Sequence, residues 1–159
     1  MALHFDRAEF DARRDRLMIE MAEKKLDAVL LFAQESMYWL TGYDTFGYVF
    51  FQCLVITADG RMVLLTRAPD LRQAPHTSTL DDIRIWVDSG SAHPAEQLKS
   101  LVADMGLRGA ALGIEYDTHG LTAANGRAVD AALGGFVALT DASDLLPGLV
   151  SGHVNLGKN

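Results

Sequence analysis

The sequence has 159 residues, of which 49% are hydrophobic and 22% are charged, a composition typical of one globular domain with a sizeable core. Its 21 acidic and 14 basic residues give a net charge of -7, which argues against a surface that binds nucleic acid or anionic membranes. The N-terminus has no apolar segment typical of a signal peptide, and no apolar run reaches the ~20 residues that span a bilayer. We therefore expect a cytoplasmic protein with neither nucleic-acid nor membrane partners.

The first predicted element is a helix that begins after Asp6, which has Glu9 at the spacing of a capping box. Phe10, Leu17 and Met21 follow at helical spacing and predict a buried stripe. The other side carries charged residues and is interpreted as a solvated face. These charged residues are Arg13, Arg16, Glu20 and Lys24.

Residues 27–32 form a short apolar run, which predicts a strand buried on both faces of a sheet. Residues 34–41 then predict a short helix that ends at Gly42, with Trp39 in the core. Two apolar runs follow at 50–57 and 62–66. The Asp-Gly pair between these runs predicts a β-hairpin.

The second half of the chain alternates between strand and helix signals. After an optional short helix at 70–74, we predict an edge strand over 83–87, a helix over 94–105, a strand over 110–114, a helix over 121–133, a strand over 136–140 and a closing helix at 145–146. The predicted fold class is therefore α/β, with a mixed sheet of about six strands flanked by helices.

A search for catalytic or metal-binding motifs finds none. The five histidines lack metal-ligand spacing, and neither a nucleophile elbow nor a Walker phosphate-binding loop occurs. The single cysteine, Cys53, lies in an apolar run and is interpreted as a core residue. We expect no catalytic residue, no metal ligand and no cofactor in this chain.

Aromatic residues are concentrated in one segment, with seven among residues 37–51. Its middle part, residues 43–48, also contains Asp44, Thr45 and Gly47, which favours a loop over a helix or strand. Aromatic loops often line pockets or interfaces. The alternative is that these rings pack inside the domain, and the sequence leaves both interpretations open.

Four segments, in this order and spacing, resemble the N-terminal domain of the creatinase/prolidase family. They are Leu26–Leu31, Met37–Tyr43, Leu112–Asp117 and Asp141–Leu146, within a similarity that covers residues 5–147. The resemblance implies that residues 1–149 are the N-terminal domain of a two-domain enzyme. Residues 150–159 do not match the family and are either a cloning remnant or a divergent natural end.

The catalytic domain of the family has the pita-bread fold and follows the N-terminal domain. In the peptidases it binds two divalent metal ions (Mn, Co or Zn) through two aspartates, a histidine and two glutamates, whereas creatinase uses the same fold without metal. None of those ligands can be assigned in this chain. The resemblance therefore implies that the full-length protein is a hydrolase of the Xaa-Pro dipeptidase, aminopeptidase P or creatinase type. It also implies that this chain, without the catalytic domain, is inactive.

The resemblance also implies a homodimer in which this domain contacts its own catalytic domain and contributes to the substrate site of the neighbouring subunit. The residues that match creatinase's substrate contacts are Tyr48 and Phe50, and Phe46 and Tyr43 lie in the same loop. Creatinase has an arginine where this chain has Phe50, so a small peptide or amide substrate with an apolar or proline-like group fits better than creatine. X-Pro peptides, creatine-like compounds and ectoine-like amides remain open, as does a free-standing binding module without a catalytic partner.

Overall fold

A computed structural model of the chain describes residues 7–43, 50–67, 82–86 and 93–156, with side chains to residue 151. The predicted cap Asp6 and the optional helix at 70–74 lie outside these residues. In chain order the elements are α1 (Arg7–Glu23), β1 (Ala28–Leu31), α2 (Gln34–Thr41), β2 (Cys53–Thr57), β3 (Met62–Arg67), β4 (Ile83–Trp86), α3 (Pro94–Asp104), β5 (Ala111–Ile114), α4 (Ala123–Leu133), β6 (Ala138–Asp141) and α5 (Leu145–Leu156).

The six strands form one mixed sheet in the order β4-β3-β2-β1-β5-β6. Strand β2 is antiparallel to both of its neighbours, and the other three pairings are parallel. Five strands therefore end at the same edge of the sheet, which we call the carboxyl edge, and β2 begins there. The predicted mixed α/β sheet flanked by helices is confirmed.

The hairpin between β2 and β3 confirms the prediction from its Asp-Gly pair. The strands pair with Cys53 opposite Leu65 and Val55 opposite Val63. Gly60 has a φ of +91°, a left-handed conformation that glycine adopts without strain. This turn lies at the edge opposite the carboxyl edge.

Side chains alternate between two cores, one on each face of the sheet. Ala28 and Leu30 of β1 belong to one core, and Val29 and Leu31 belong to the other. Helices α3 and α4 cover the first face, whereas α1, α2 and α5 cover the second. All four β1 residues are buried, as the apolar run predicts. Among the described residues, no helix has the length and apolar character needed to cross a membrane.

The ends of α2 and α5 show how local signals and tertiary packing set the helix limits. Helix α2 ends at Gly42, which has a φ of +79° and donates its N–H to the Tyr38 carbonyl oxygen at 2.8 Å. Helix α5 begins at Leu145 as predicted but continues to Leu156. The backbone is therefore helical through most of the tail that does not match the family.

The prediction that the charged side of α1 is solvated is wrong at Arg13. This side chain is buried, and its Nη1 donates a hydrogen bond to the Trp39 carbonyl oxygen at 2.9 Å. The guanidinium carbons of Arg13 and Arg16 lie 5.2 and 5.5 Å from the centre of the Trp39 ring. A guanidinium can be buried here because the ring and the carbonyl replace water as its partners. Trp39 is 9% exposed, which confirms its prediction as a core residue.

Candidate functional site

The carboxyl edge contains a crevice where the chain leaves two neighbouring strands in opposite directions. Strand β1 leads into α2 on one face of the sheet, whereas β5 leads into α4 on the other face. The two strands are adjacent and parallel. In open α/β sheets such a switch point, outside the carboxyl ends of the strands, is where ligands commonly bind.

Glu115 lies at the base of this crevice, directly after β5, and is 2% exposed. Its Oε1 accepts hydrogen bonds from the backbone N–H groups of Phe32 and Ala33, both at 2.9 Å. Its Oε2 accepts one from Ser36 Oγ at 2.6 Å. Ala33, at the N-cap of α2, has no side-chain cap, so the Glu115 carboxylate caps the helix from a distant strand.

The ionisation of Glu115 reflects two opposing effects. Burial raises the pKa of its carboxyl group, and the charge of Glu35 adds to this rise. Hydrogen bonds from Ser36, Ala33 and Phe32 lower the pKa, but the net shift is upward. With three donors already directed at its oxygens, Glu115 acts as a structural link between β5 and α2 rather than as an open acid or base.

The crevice has a volume of about 570 Å³. Polar groups of Ser36, Glu115, His119 and Ser143 line one part of it, and helix α5 contributes apolar surface. Ser143 is already engaged, since its Oγ accepts a hydrogen bond from the Asp117 N–H at 2.9 Å. Across the described ranges, no group of three or more His, Cys, Asp or Glu side chains could hold a metal ion.

The described part of the predicted loop is divided between the two faces of the sheet. Tyr43 is fully buried in the core under α1 and α2, and its hydroxyl donates to Gln52 Oε1 at 2.8 Å. Phe50 is half-buried and packs against the opposite core. The structure therefore does not bring Tyr43 and Phe50 together on one surface. The predicted site residues Phe46 and Tyr48 lie outside the described residues.

Phe50 has a charged neighbour that the sequence analysis did not single out. The guanidinium carbon of Arg67, the last residue of β3, lies 3.2 Å from the centre of the Phe50 ring. Behind this pair, Trp86 Nε1 donates to the Phe51 carbonyl oxygen at 2.8 Å. The rings of Phe32 and Phe51 meet edge to face at 5.5 Å. Phe50 and Arg67 thus form a cation–π pair at the carboxyl edge.

A family model described as the creatinase/prolidase N-terminal domain matches residues 13–149. The chain belongs to this family. It is 28% identical over 126 residues to ectoine hydrolase of Halomonas elongata, an alignment that covers 75% of this chain and 32% of that protein. It is 27% identical over 128 residues to the uncharacterized hydrolase/peptidase y4tM of Sinorhizobium fredii, covering 76% of this chain and 33% of that protein. The chain thus spans about a third of the length of the curated relatives it matches.

Solved structures show the same fold. An Xaa-Pro aminopeptidase chain from Streptococcus pyogenes has a TM-score of 0.70 at 24% identity, covering 89% of this chain and 98% of that one. The N-terminal domain of the cytoplasmic peptidase PepQ from Mycobacterium tuberculosis has a TM-score of 0.62 at 26% identity, covering 87% and 98% of the two chains. The recognition of the family from four sequence segments is confirmed.

Two features of the carboxyl edge were missed by the sequence analysis. In the sequence Glu115 stands out only as part of the family segment Leu112–Asp117, and its position directly after an apolar strand is the one local sign that its carboxylate is buried and hydrogen-bonded. Arg67 gave a weaker signal, because a basic residue at a strand end is usually solvated. Both features depend on partners that are distant in sequence.

Proposed function

We propose that this chain is the non-catalytic N-terminal domain of a metal-dependent Xaa-Pro peptidase or related amidohydrolase. The observation that carries this proposal is the family match over residues 13–149, combined with relatives about three times as long as the matched region. This proposal is consistent with the names of similar proteins, since one relative is a hydrolase and two structural neighbours are peptidases. We further propose a cytoplasmic homodimer.

The proposed reaction is hydrolysis of a C–N bond, in which the oxygen of water bonds to the carbon and the departing nitrogen takes up a proton. Two divalent metal ions (Mn, Co or Zn) in the catalytic domain would activate the water and polarise the carbonyl group. In this proposal the present domain contributes to binding and orienting the substrate.

The proposed substrate contacts belong to the part of the chain between α2 and β2, of which Phe50 lies at the carboxyl edge. Phe50 is half-buried there and offers an apolar surface. Tyr48 and Phe46 precede it in the chain and are proposed to complete the wall. Tyr43, because it is buried and hydrogen-bonded to Gln52, is proposed to anchor the start of this segment.

Replacing Tyr48 tests this role in the enzyme that contains the catalytic domain. We expect Tyr48→Ala to raise KM or lower kcat/KM toward the best substrate, with nearly unchanged melting temperature and metal content. Ile19→Ala, on the exposed face of α1, serves as the control. Parental kinetics in Tyr48→Ala would contradict a role in the substrate site.

The reading frame downstream of this chain separates the proposal from a free-standing binding module of the same fold. Continuous coding for two aspartates, a histidine and two glutamates with pita-bread spacing supports the hydrolase. A stop codon directly after the domain supports the binding module. Sedimentation of the purified full-length protein tests the proposed homodimer.

A further inference from the structure

We propose that the open edge of β6 binds an extended segment of a partner protein, which adds a strand to the sheet and places alternate side chains in a groove beside α5. The segment carries a basic, an apolar and an acidic residue at alternate positions. This inference does not depend on the proposed function. Strands β1 and β5 separate β6 from β2, which puts this surface about 14 Å from the strand that follows Phe50.

Strand β6 is an outer strand of the sheet, with one side of its backbone open. Among the described residues it pairs only with β5. The Ala138 N–H donates to the Ala110 carbonyl oxygen at 2.9 Å, so this residue faces β5. Because backbone groups alternate sides along a strand, those of Leu139 and Asp141 point outward. The strand also lacks the lysine or proline that commonly blocks such an edge.

A groove of about 720 Å³ lies beside this edge, on the face of the sheet that α1 and α5 cover. Leu26 and Leu145 are buried and Leu149 is half-buried, so these three residues form its apolar floor. Leu139 packs against the opposite core, whereas the next residue, Thr140, lines the groove and is exposed. Alternate side chains of an added strand would therefore point into the groove, as Thr140 does.

Gly148 leaves space in the wall of the groove that belongs to α5. It lies inside the helix, where glycine is less favourable than alanine. Its N–H donates to the Asp144 carbonyl oxygen at 3.0 Å, as in a regular helix. A Cβ atom at this position would meet no other atom within 4 Å, so packing inside the domain does not require glycine. The groove thus has room for a side chain supplied from outside.

The charged side chains of the groove are ordered along β6. Lys24 and Lys25 lie at the end where β6 begins, beside Ala111, which pairs with Ala138, the first residue of the strand. Asp144 lies at the other end, three residues after the strand. Within the described ranges, these two lysines and this aspartate are exposed and form no ion pair.

The charges at the two ends define the segment that fits. Glu20 and Asp141 also line the groove, so two lysines against one glutamate leave +1 at one end, and two aspartates give -2 at the other. A complementary strand has an acidic residue near the lysines, a basic residue near the aspartates and an apolar residue between them. Three alternate residues span about 14 Å, close to the length of β6. In the more stable antiparallel arrangement, the basic residue comes first.

The first test compares two labelled peptides on the full-length protein by fluorescence anisotropy. One peptide is Thr-Arg-Thr-Leu-Thr-Glu-Thr, and the other has its arginine and glutamate exchanged. We expect the first peptide to bind about tenfold more tightly, because the exchange places like charges together at both ends. Reversing both lysines, Lys24→Glu with Lys25→Glu, should abolish this preference.

The second test fills the groove. Gly148→Phe should weaken binding of the first peptide about 10- to 100-fold, the usual effect of no longer burying one leucine side chain. Gly148→Ala, the matched control, leaves the groove open and should keep the parental affinity. In the parent, hydrogen exchange should show that the bound peptide protects the Leu139 amide, whereas the Ala138 amide, already bonded to β5, should change little.

Several outcomes would overturn the inference. They are no measurable binding of the first peptide, equal affinity for both peptides, and parental affinity in a Gly148→Phe variant that circular dichroism shows to be folded. If that variant does not fold, the Leu139 amide decides, since unchanged exchange at saturating peptide would exclude strand addition. No hydrolysis is measured in these tests, so their failure would leave the proposed function unaffected.

Discussion

Ser36 Oγ donates a 2.6 Å hydrogen bond to Glu115 Oε2, which ties the first turn of α2 to the end of β5 across 79 positions of sequence. The other carboxylate oxygen accepts two backbone N–H groups at the end of β1. Close to this point, a Cβ atom on Gly120 would lie 1.9 Å from the Phe32 carbonyl oxygen, so only glycine fits there. The base of the crevice is therefore closely packed and fully hydrogen-bonded around one carboxylate.

Removing this carboxylate should destabilise the domain. We expect Glu115→Ala to lower the free energy of unfolding by roughly 2–4 kcal/mol, because it leaves two buried N–H groups and one hydroxyl without their acceptor. Urea unfolding at pH 7 measures the effect. Glu23→Ala, an exposed carboxylate at the end of α1, should change stability by less than about 0.5 kcal/mol. Equal stability of the two variants would show that water replaces the lost acceptor.

The raised pKa of Glu115 predicts how stability changes with pH. Because the folded state holds this proton more tightly than the unfolded state, the contribution is fully present below the unfolded pKa of about 4.3 and is lost as pH rises through the folded pKa. Glu115→Gln mimics the protonated acid and does not titrate. We expect the unfolding free energy of the parent, minus that of Glu115→Gln, to decrease between pH 4 and pH 7. A difference that increases with pH would mean that the hydrogen bonds outweigh burial.

Trp39 should be a major contributor to stability. We expect Trp39→Ala to cost about 3–5 kcal/mol, the usual range for truncating an aromatic side chain in a core. The loss includes the stacking of Arg13 and Arg16 on the ring. Thermal and urea unfolding measure it, with Ile19→Ala on the exposed face of α1 as the control. A Trp39→Ala variant that melts with the parent would show that the ring contributes little.

The chain alone should have no peptidase activity. The sequence has no nucleophile motif, and no metal-binding cluster occurs in the part of the chain that the structure describes. We expect no turnover of X-Pro dipeptides by the purified chain with Mn²⁺, Co²⁺ or Zn²⁺. Turnover that remains with the protein through successive purification steps would contradict this prediction and require a site within the domain.

Local sequence signals predict most of the strands and helices and their order along the chain. The run at 27–32 predicted the buried strand β1, the Asp-Gly pair predicted the hairpin, and Gly42 predicted the end of α2. These signals are local, because apolar periodicity and turn chemistry act over a few neighbouring residues. The family was also recognisable, since it depends on the order of such segments along the chain.

The burial of polar groups and the identity of their partners depend on the tertiary fold. Arg13 was interpreted as solvated on its helix, yet Trp39 of another helix buries it. Tyr43 and Phe50 are seven positions apart but pack on opposite faces of the sheet. Glu115 depends on partners 79 to 83 positions away. Such contacts cannot be predicted from local patterns, because the free energy of burying a polar group is set by the partner that replaces water, and the fold alone brings that partner into place.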